Sequence, residues 1–379
     1  MHSLATILFI VSICVVTFTF IVALIITPFI NKLAIKVGLL DRPGERKIHQ
    51  TVIPMSGGSI IFLSCILTIG ISTILVHFGI CSFLPGDSIE HILDSIEPIR
   101  KLPQYILLGV SLFLLWIVGI VDDFYKSEGM AKYKLVVQFL AACIAVFFAN
   151  THITFFKPVI LSQILSVVWI VGIVNAFNLL DNMDGLSGGI SVICSLVLMG
   201  LGIWQGEIIV VIMSSVFIGA AMAFLINNFP KAKIFLGDNG SMTVGFVLAV
   251  LTLKISYLTS ADSLSFPVLI PLIILAIPLT DVFSVIVIRV LNKRPIYIGD
   301  NNHVSHRLTR VGFSKRDAVL IIYMLTLSTS LSGFLLLKTD IWFSLIIIFQ
   351  ILVLIFLFIL LLTKGDKTSI KVKLRNIIN

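Results

Sequence analysis

The chain has 379 residues, of which 58% are hydrophobic and 12% charged, with a formal net charge of +8. A soluble globular domain carries about 25% charged residues, so half that amount leaves too little charge to cover a water-exposed surface. This excludes a cytosolic enzyme, a disordered chain and a secreted disulfide scaffold, and it leaves an all-α, polytopic membrane protein.

Apolar runs long enough to cross a bilayer recur along the whole chain, which reads as one transmembrane domain over residues 1–379. A span needs about 20 mostly apolar residues, because a helix rises about 1.5 Å per residue. Eleven spans are predicted, at residues 4–30, 58–80, 104–121, 135–150, 160–177, 188–204, 208–226, 241–258, 266–290, 318–337 and 341–362. The first has neither a basic n-region nor a small-residue cleavage site, so it reads as a membrane helix and not as a signal peptide. Apolar and polar residues do not alternate, which argues against a β-barrel. The five Cys form no CxxC pair, and four lie within apolar runs, where they read as small buried hydrophobes.

With the N-terminus outside, 22 of the 27 Lys and Arg fall in inner segments and 5 in outer ones. Short basic loops stay on the cytoplasmic side, so the expected orientation is N-terminus out and C-terminus cytoplasmic. The basic inner face suits anionic lipid headgroups and anionic substrates. No nucleic-acid partner is expected.

The polar residues concentrate at that inner face, where ionisable groups are costly enough to mark function. In chain order, the first loop carries Arg46, Lys47 and His49, followed by Pro54 and Gly57-Gly58. These residue types suit a phosphate or nucleotide, and equally a basic anchor at a helix end. Asp122 and Asp123 end the third span, followed by Lys132, Lys134 and Gln138. Adjacent carboxylates repel and need a cation, a proton or a nearby base.

Asn175, Asn178, Asp181 and Asp184 follow at intervals of three, which forms one ridge along a helix. The ridge drifts around the axis, which puts Asp184 at or past the helix end. Phe235-Leu-Gly-Asp238-Asn-Gly-Ser241 reads by itself as a capped helix start, with function lent by the neighbouring carboxylates. His303-Val-Ser-His306-Arg307 lies in the most basic inner loop, and phosphate binding fits it better than zinc, since no Cys or HExxH accompanies it.

Hard oxygen ligands favour Mg²⁺ or Mn²⁺, which bind through one or two carboxylates and substrate phosphates. Together with the basic residues and the membrane location, this points to phosphoryl transfer between a soluble nucleotide and a lipid. No GxxxxGK[ST] is present, so the chain is not a P-loop motor. A transporter or a binding protein for nucleotide sugars is the rival class, but transporters place their charges near the bilayer midplane.

These motifs jointly resemble those of the polyprenyl-phosphate N-acetylhexosamine-1-phosphate transferases (glycosyltransferase family 4), relatives of the phospho-MurNAc-pentapeptide translocase. The resemblance covers residues from about 40 to 310, including Asp41-x-Pro-xx-Arg46-Lys47-x-His49. It implies a bacterial inner-membrane enzyme of ten or eleven helices, related to proteins that are often homodimers, with its active site at the cytoplasmic face. It also implies that polyprenyl phosphate attacks the sugar-bearing phosphorus of a UDP-sugar, giving polyprenyl-diphospho-sugar and UMP, assisted by Mg²⁺ or Mn²⁺. UDP-GlcNAc is the expected donor, undecaprenyl phosphate the acceptor, and cell-envelope glycan synthesis the setting.

By the same resemblance, Asp122 or Asp123, with Asp122 favoured, would deprotonate or orient the lipid phosphate, and Asp238 would hold the metal. Asn178, Asp181 and Asp184 would order the nucleotide and metal shell, alongside Asn175 and Lys134. Phe235 would stack on uracil, while His303, His306 and Arg307, with Lys47 and His49 from the first loop, would hold the donor. The chain departs from the family pattern at two positions: Asn182 stands where Gly is common, and Ser305 where His is common. The absence of a triple-His run argues against the MurNAc-pentapeptide branch.

Overall fold

A computed structural model describes residues 2–42, 52–77, 98–125, 129–154, 157–255, 266–293, 302–337 and 339–378. Among these are thirteen α-helices and one short two-stranded ribbon. In chain order the helices are α1 (His2–Val37), α2 (Gly57–His77), α3 (Pro98–Tyr125), α4 (Met130–Cys143), α5 (Val159–Leu180), α6 (Leu186–Gln205) and α7 (Ile208–Asn228). They continue with α8 (Gly237–Lys254), α9 (Ile270–Ile274), α10 (Ala276–Leu291), α11 (Val304–Val311), α12 (Lys315–Leu335) and α13 (Ile341–Ile378). Nine of the described helical segments are long and apolar enough to cross a membrane. Large apolar side chains face outward, among them Phe29 on α1 and Phe349 on α13. On a soluble protein this would be an aggregating surface; here it is the lipid-facing belt of a multi-pass membrane protein.

Two of the eleven expected spans take a different form. Around 241–258, helix α8 begins earlier, its first turn carries Asp238 and Asn239, and it is not among the nine described helices long and apolar enough to cross a membrane. The stretch 266–290 is divided into a 3-10 turn (Phe266–Leu269), α9 and α10. Proline explains the second break. Pro278 has no N–H to give the carbonyl four residues back, and its ring crowds that carbonyl. The freed carbonyl is that of Ile274, and side chains from two other helices satisfy it. Ser330 Oγ of α12 donates to it at 3.1 Å, and Cys194 Sγ of α6 lies 3.4 Å away. Cys194 is thus a buried packing residue, as its apolar surroundings suggested.

Helix α8 packs against α2, α3 and α5. Helices in lipid gain no hydrophobic drive from meeting one another, so close backbone approach through small residues sets the packing. Gly119 of α3 shows how close: a Cβ there would lie 2.3 Å from Asn239 Cα. Gly58 of α2 meets Asn239 and Gly240 in the same way. The two glycines seat the start of α8 against α2 and α3, and that start carries Asp238.

The ribbon pairs β1 (Leu40–Asp41) with β2 (Ile53–Pro54) in antiparallel fashion. The backbone of Phe235 extends it, donating from its N–H to Pro54 O at 2.9 Å and accepting from Gly57 N at 2.9 Å. The first loop therefore leaves and returns beside the segment that leads into α8. Lys47 and His49, together with Arg46, lie outside the described residues.

Candidate active site

Three helices deliver charged side chains to one point. Lys134 of α4 donates from Nζ to Asp122 Oδ2 of α3 at 2.8 Å and also ion-pairs with Asp238 Oδ2 of α8. A fourth helix, α5, adds Asn178, whose Nδ2 donates to Asp238 Oδ1 at 3.0 Å and to Ser241 Oγ at 2.9 Å. Both oxygens of Asp238 are thereby engaged by donors.

Asp123 does different work from its neighbour. Successive residues on a helix point about 100° apart, so adjacent carboxylates face different surroundings. Asp123 Oδ1 accepts from the Asp238 N–H at 2.9 Å, and Oδ2 accepts from the Asn239 N–H at 3.1 Å and from Asn239 Nδ2 at 2.6 Å. These are otherwise orphaned donors at the start of α8, so Asp123 acts as that helix's cap from another part of the chain. Gly237 makes the approach feasible: its φ is +74°, and a Cβ there would stand 2.6 Å from Asp123 Oδ2. Of the paired carboxylates, Asp122 is the partly exposed one beside Lys134, at 16%, while Asp123 is 4% exposed.

The polar ridge holds as a helix face only in part. Asn175 and Asn178 lie within α5, Asp181 is its C-terminal cap residue, and Asp184 falls in the turn beyond. Asn175 points back into the bundle, donating to Gln138 Oε1 at 2.7 Å and to Val171 O at 2.8 Å. It ties α5 to α4, one helical turn away from the charged cluster. Asp184 Oδ2 accepts from the Ala232 N–H at 3.0 Å, which braces the 181–185 loop on the segment after α7. The Asn228 side chain accepts from the Gly185 N–H at 2.6 Å and donates to Ile234 O at 2.8 Å, and Tyr323 of α12 donates to Gly185 O.

Asp181 is the contrasting carboxylate: none of the described residues donates a hydrogen bond to its side chain. Burial, and then the charges of Asp238, Asp123 and Asp184, hold its carboxyl well above the ordinary value of 3.8. Asp181 thus shares its neighbourhood with Asp238, Asp123 and Asp184, while Lys134 pairs with Asp122 and Asp238. No three His, Cys, Asp or Glu among the described residues converge into a closed metal cage. An unbonded Asp181 beside Asp238 fits an ion of the Mg²⁺ class, which takes one or two protein carboxylates and completes its shell with water and substrate phosphate.

The histidine motif folds as the start of α11, with His303 as its N-cap residue. Its organiser is Asp281 of α10, a residue that the sequence motifs do not single out. Asp281 is 1% exposed. Its Oδ2 lies 2.8 Å from His303 Nδ1, and its Oδ1 accepts from the Val304 N–H at 2.6 Å. One carboxylate therefore orients the imidazole and caps the helix. The available signal was an acidic residue inside an apolar span, which is costly unless used. His306 is half-buried, and burial, His303 and Arg310 lower its pKa, which favours the neutral ring. Arg307 is buried beneath the same turn. Phe235 is half-buried beside the ribbon, which its backbone extends.

A family model described as "Glycosyl transferase family 4" matches residues 105–256, the stretch that holds Asp122, Lys134, Asn178, Asp181 and Asp238. The chain is 33% identical over 339 residues to a probable undecaprenyl-phosphate N-acetylglucosaminyl 1-phosphate transferase of Bacillus subtilis, covering 87% of this chain and 86% of that protein. It is 30% identical over 308 residues to the undecaprenyl-phosphate alpha-N-acetylglucosaminyl 1-phosphate transferase of Salmonella typhi, covering 77% and 75%. A decaprenyl-phosphate N-acetylglucosaminephosphotransferase of Mycobacterium tuberculosis is 28% identical over 332 residues, covering 80% and 78%. Identity at this level over most of both chains, with the charged cluster inside the matched region, makes the chain a member of glycosyl transferase family 4.

Proposed function

We propose that the protein transfers GlcNAc-1-phosphate from UDP-GlcNAc to a polyprenyl phosphate, undecaprenyl phosphate by preference, at the cytoplasmic face of the bacterial inner membrane, releasing UMP. The observation that carries this reading is the convergence of Asp122, Lys134, Asn178 and Asp238 from four helices at the end of the bundle that the basic loops share. The names of the relatives support the acceptor and the transferred group. The excess of Lys and Arg in the inner segments supports an N-terminus outside and a C-terminus inside.

In this reading an oxygen of the lipid phosphate attacks the phosphorus that bears the sugar. A new P–O bond forms, the bond from that phosphorus to the bridging oxygen breaks, and UMP leaves with the bond's electron pair. Asp122 accepts the proton from the lipid phosphate or orients its oxygen, and Lys134 holds Asp122 in place while offsetting the arriving anionic charge. Asp123 positions Asp238 through the cap of α8 and does not itself meet the reacting atoms.

Asp181 and Asp238 would hold Mg²⁺ or Mn²⁺, with Asp184 bracing the loop. The ion, when bound, neutralises charge on the diphosphate. His303, held by Asp281, stands with His306 and Arg307 at the start of α11 to bind the donor's diphosphate. Phe235 offers a ring for uracil, and Lys47 and His49 enter from the loop that the ribbon anchors next to it.

The test is a product assay. Purified protein, Mg²⁺, undecaprenyl phosphate and radiolabelled UDP-GlcNAc should yield butanol-extractable label and released UMP. Uptake of the nucleotide sugar without a lipid-linked product would instead favour a transporter or a binding protein.

A further inference from the structure

Asn182 of the carboxylate loop and Ser305 of the histidine helix are bonded to each other. Ser305 is 1% exposed, and its hydroxyl donates to Asn182 Oδ1 at 2.5 Å, across 123 positions of sequence. A buried serine in a helix ordinarily returns its hydroxyl to a carbonyl one turn back, as Ser64 and Ser166 do here. Ser305 reaches instead to another segment. The Asn182 amide is oriented for it. Its Nδ2 donates to Leu179 O at 3.0 Å, and because that carbonyl can only accept, Oδ1 is left for the serine.

The placement of the pair gives it a use. Asn182 follows Asp181, a carboxylate without a donor among the described residues, and Ser305 lies between His303 and His306 on α11. The far half of the 181–185 loop is already braced at Asp184 and Gly185 by Ala232, Asn228 and Tyr323. The near half, which carries Asp181, is tied to the histidine helix through Asn182. A donor diphosphate has to meet both sides at once, so the separation of the two sides governs how well it binds. Resting on the transferase reading above, we propose that Asn182 and Ser305 act as one positioning pair, which sets the distance between the carboxylate loop and the histidine helix and thereby the affinity for the donor diphosphate.

The test is a double-mutant cycle on the full-length protein, read as KM for UDP-GlcNAc and kcat separately, with thermal melting of each variant as the folding control. Asn182→Ala and Ser305→Ala should each raise KM by about tenfold, the size of one buried hydrogen bond, and leave kcat within about twofold. The double variant should show the same tenfold and not their product, because each change removes the same contact. Ser305→Thr, which keeps the hydroxyl, should retain the wild-type KM. Should an alanine variant fail to fold, Ser305→Cys keeps the shape with a weaker donor and should raise KM where Ser305→Thr does not. Unchanged KM in the single variants, or single effects that multiply in the double, overturns the pair. A wild type that turns over while these variants match it sinks the pair alone. A wild type that forms no lipid product sinks the transferase reading and the pair with it.

Discussion

The ammonium of Lys134 lies 2.8 Å from Asp122 Oδ2 and pairs at the same time with Asp238, so a single cation on α4 joins the end of α3 to the start of α8. All three side chains are largely shielded, at 16%, 16% and 30% exposure for Lys134, Asp122 and Asp238. Removing one partner of a shielded ion pair leaves the remaining charges uncompensated, which costs about 3 kcal/mol or more. Lys134→Met should therefore lower the melting temperature of the detergent-purified protein and abolish turnover, and added Mg²⁺ should recover part of the stability. A variant as stable and active as the wild type would remove Lys134 from its bridging role.

The neighbouring carboxylates Asp122 and Asp123 should separate cleanly by mutation. Asp122→Asn keeps an acceptor for Lys134 but can no longer take a proton, so turnover should fall by about 100-fold or more with melting nearly unchanged. Asp123→Ala strips the cap from α8 and should cost about 1–2 kcal/mol of stability, the usual size of a lost N-cap. Activity of the Asp123→Ala protein that remains folded should exceed that of Asp122→Asn. The reverse order would assign the reacting carboxylate to Asp123.

Asp281 acts only through what it holds. Asp281→Ala frees His303 Nδ1 and uncaps α11 together, so KM for UDP-GlcNAc should rise by about tenfold or more, the scale of losing a hydrogen bond to a charged group. Asp281→Asn preserves an acceptor for one of the two donors and should lie between the alanine variant and wild type. Equal KM values in all three would dissociate the histidine motif from donor binding.

The raised pKa of Asp181 has a pH consequence with a definite sign. Because its folded-state pKa stands above the ordinary value of 3.8, the folded protein holds this proton more tightly than the unfolded chain. The associated stability is full below the ordinary value and is lost as pH rises through the raised one. Metal binding needs the ionised carboxylate, so Mg²⁺ should protect most at the alkaline end. Melting of the metal-free protein should fall as pH rises above the ordinary carboxylate value, Mg²⁺ should offset the fall, and Asp181→Asn should flatten both trends. A wild type whose Mg²⁺ protection is the same at every pH would contradict this.

Much of the site was legible because polar residues inside an apolar chain have few reasons to be there. The Asp122-Asp123 pair, the 175–184 ridge, Asp238 and the histidine motif all stood out on that ground, and the structure joins Asp122 and Asp238 at Lys134, with Asn178 bonded to Asp238. Other features depend on folding that periodicity does not encode. The division of labour between Asp122 and Asp123 follows from which helix start lies under which side chain. The role of Asn175 follows from its contact with Gln138 across α4. The broken span at 266–290 had its cause in view, Pro271 and Pro278, yet its repair by Ser330 and Cys194 is a tertiary matter. Asp281 and the Asn182–Ser305 contact could not be paired by spacing, since their partners lie 22 and 123 positions away.

The most direct measurement follows the phosphorus. UDP-GlcNAc labelled with radiophosphorus at the sugar-bearing phosphate is incubated with the protein, Mg²⁺ and undecaprenyl phosphate, and a parallel sample carries the label at the uridine-bearing phosphate. Sugar-phosphate transfer predicts lipid-extractable label in the first sample and label retained in UMP in the second. Label that stays in the nucleotide in both samples, with UDP as the product, would contradict transfer of the sugar phosphate.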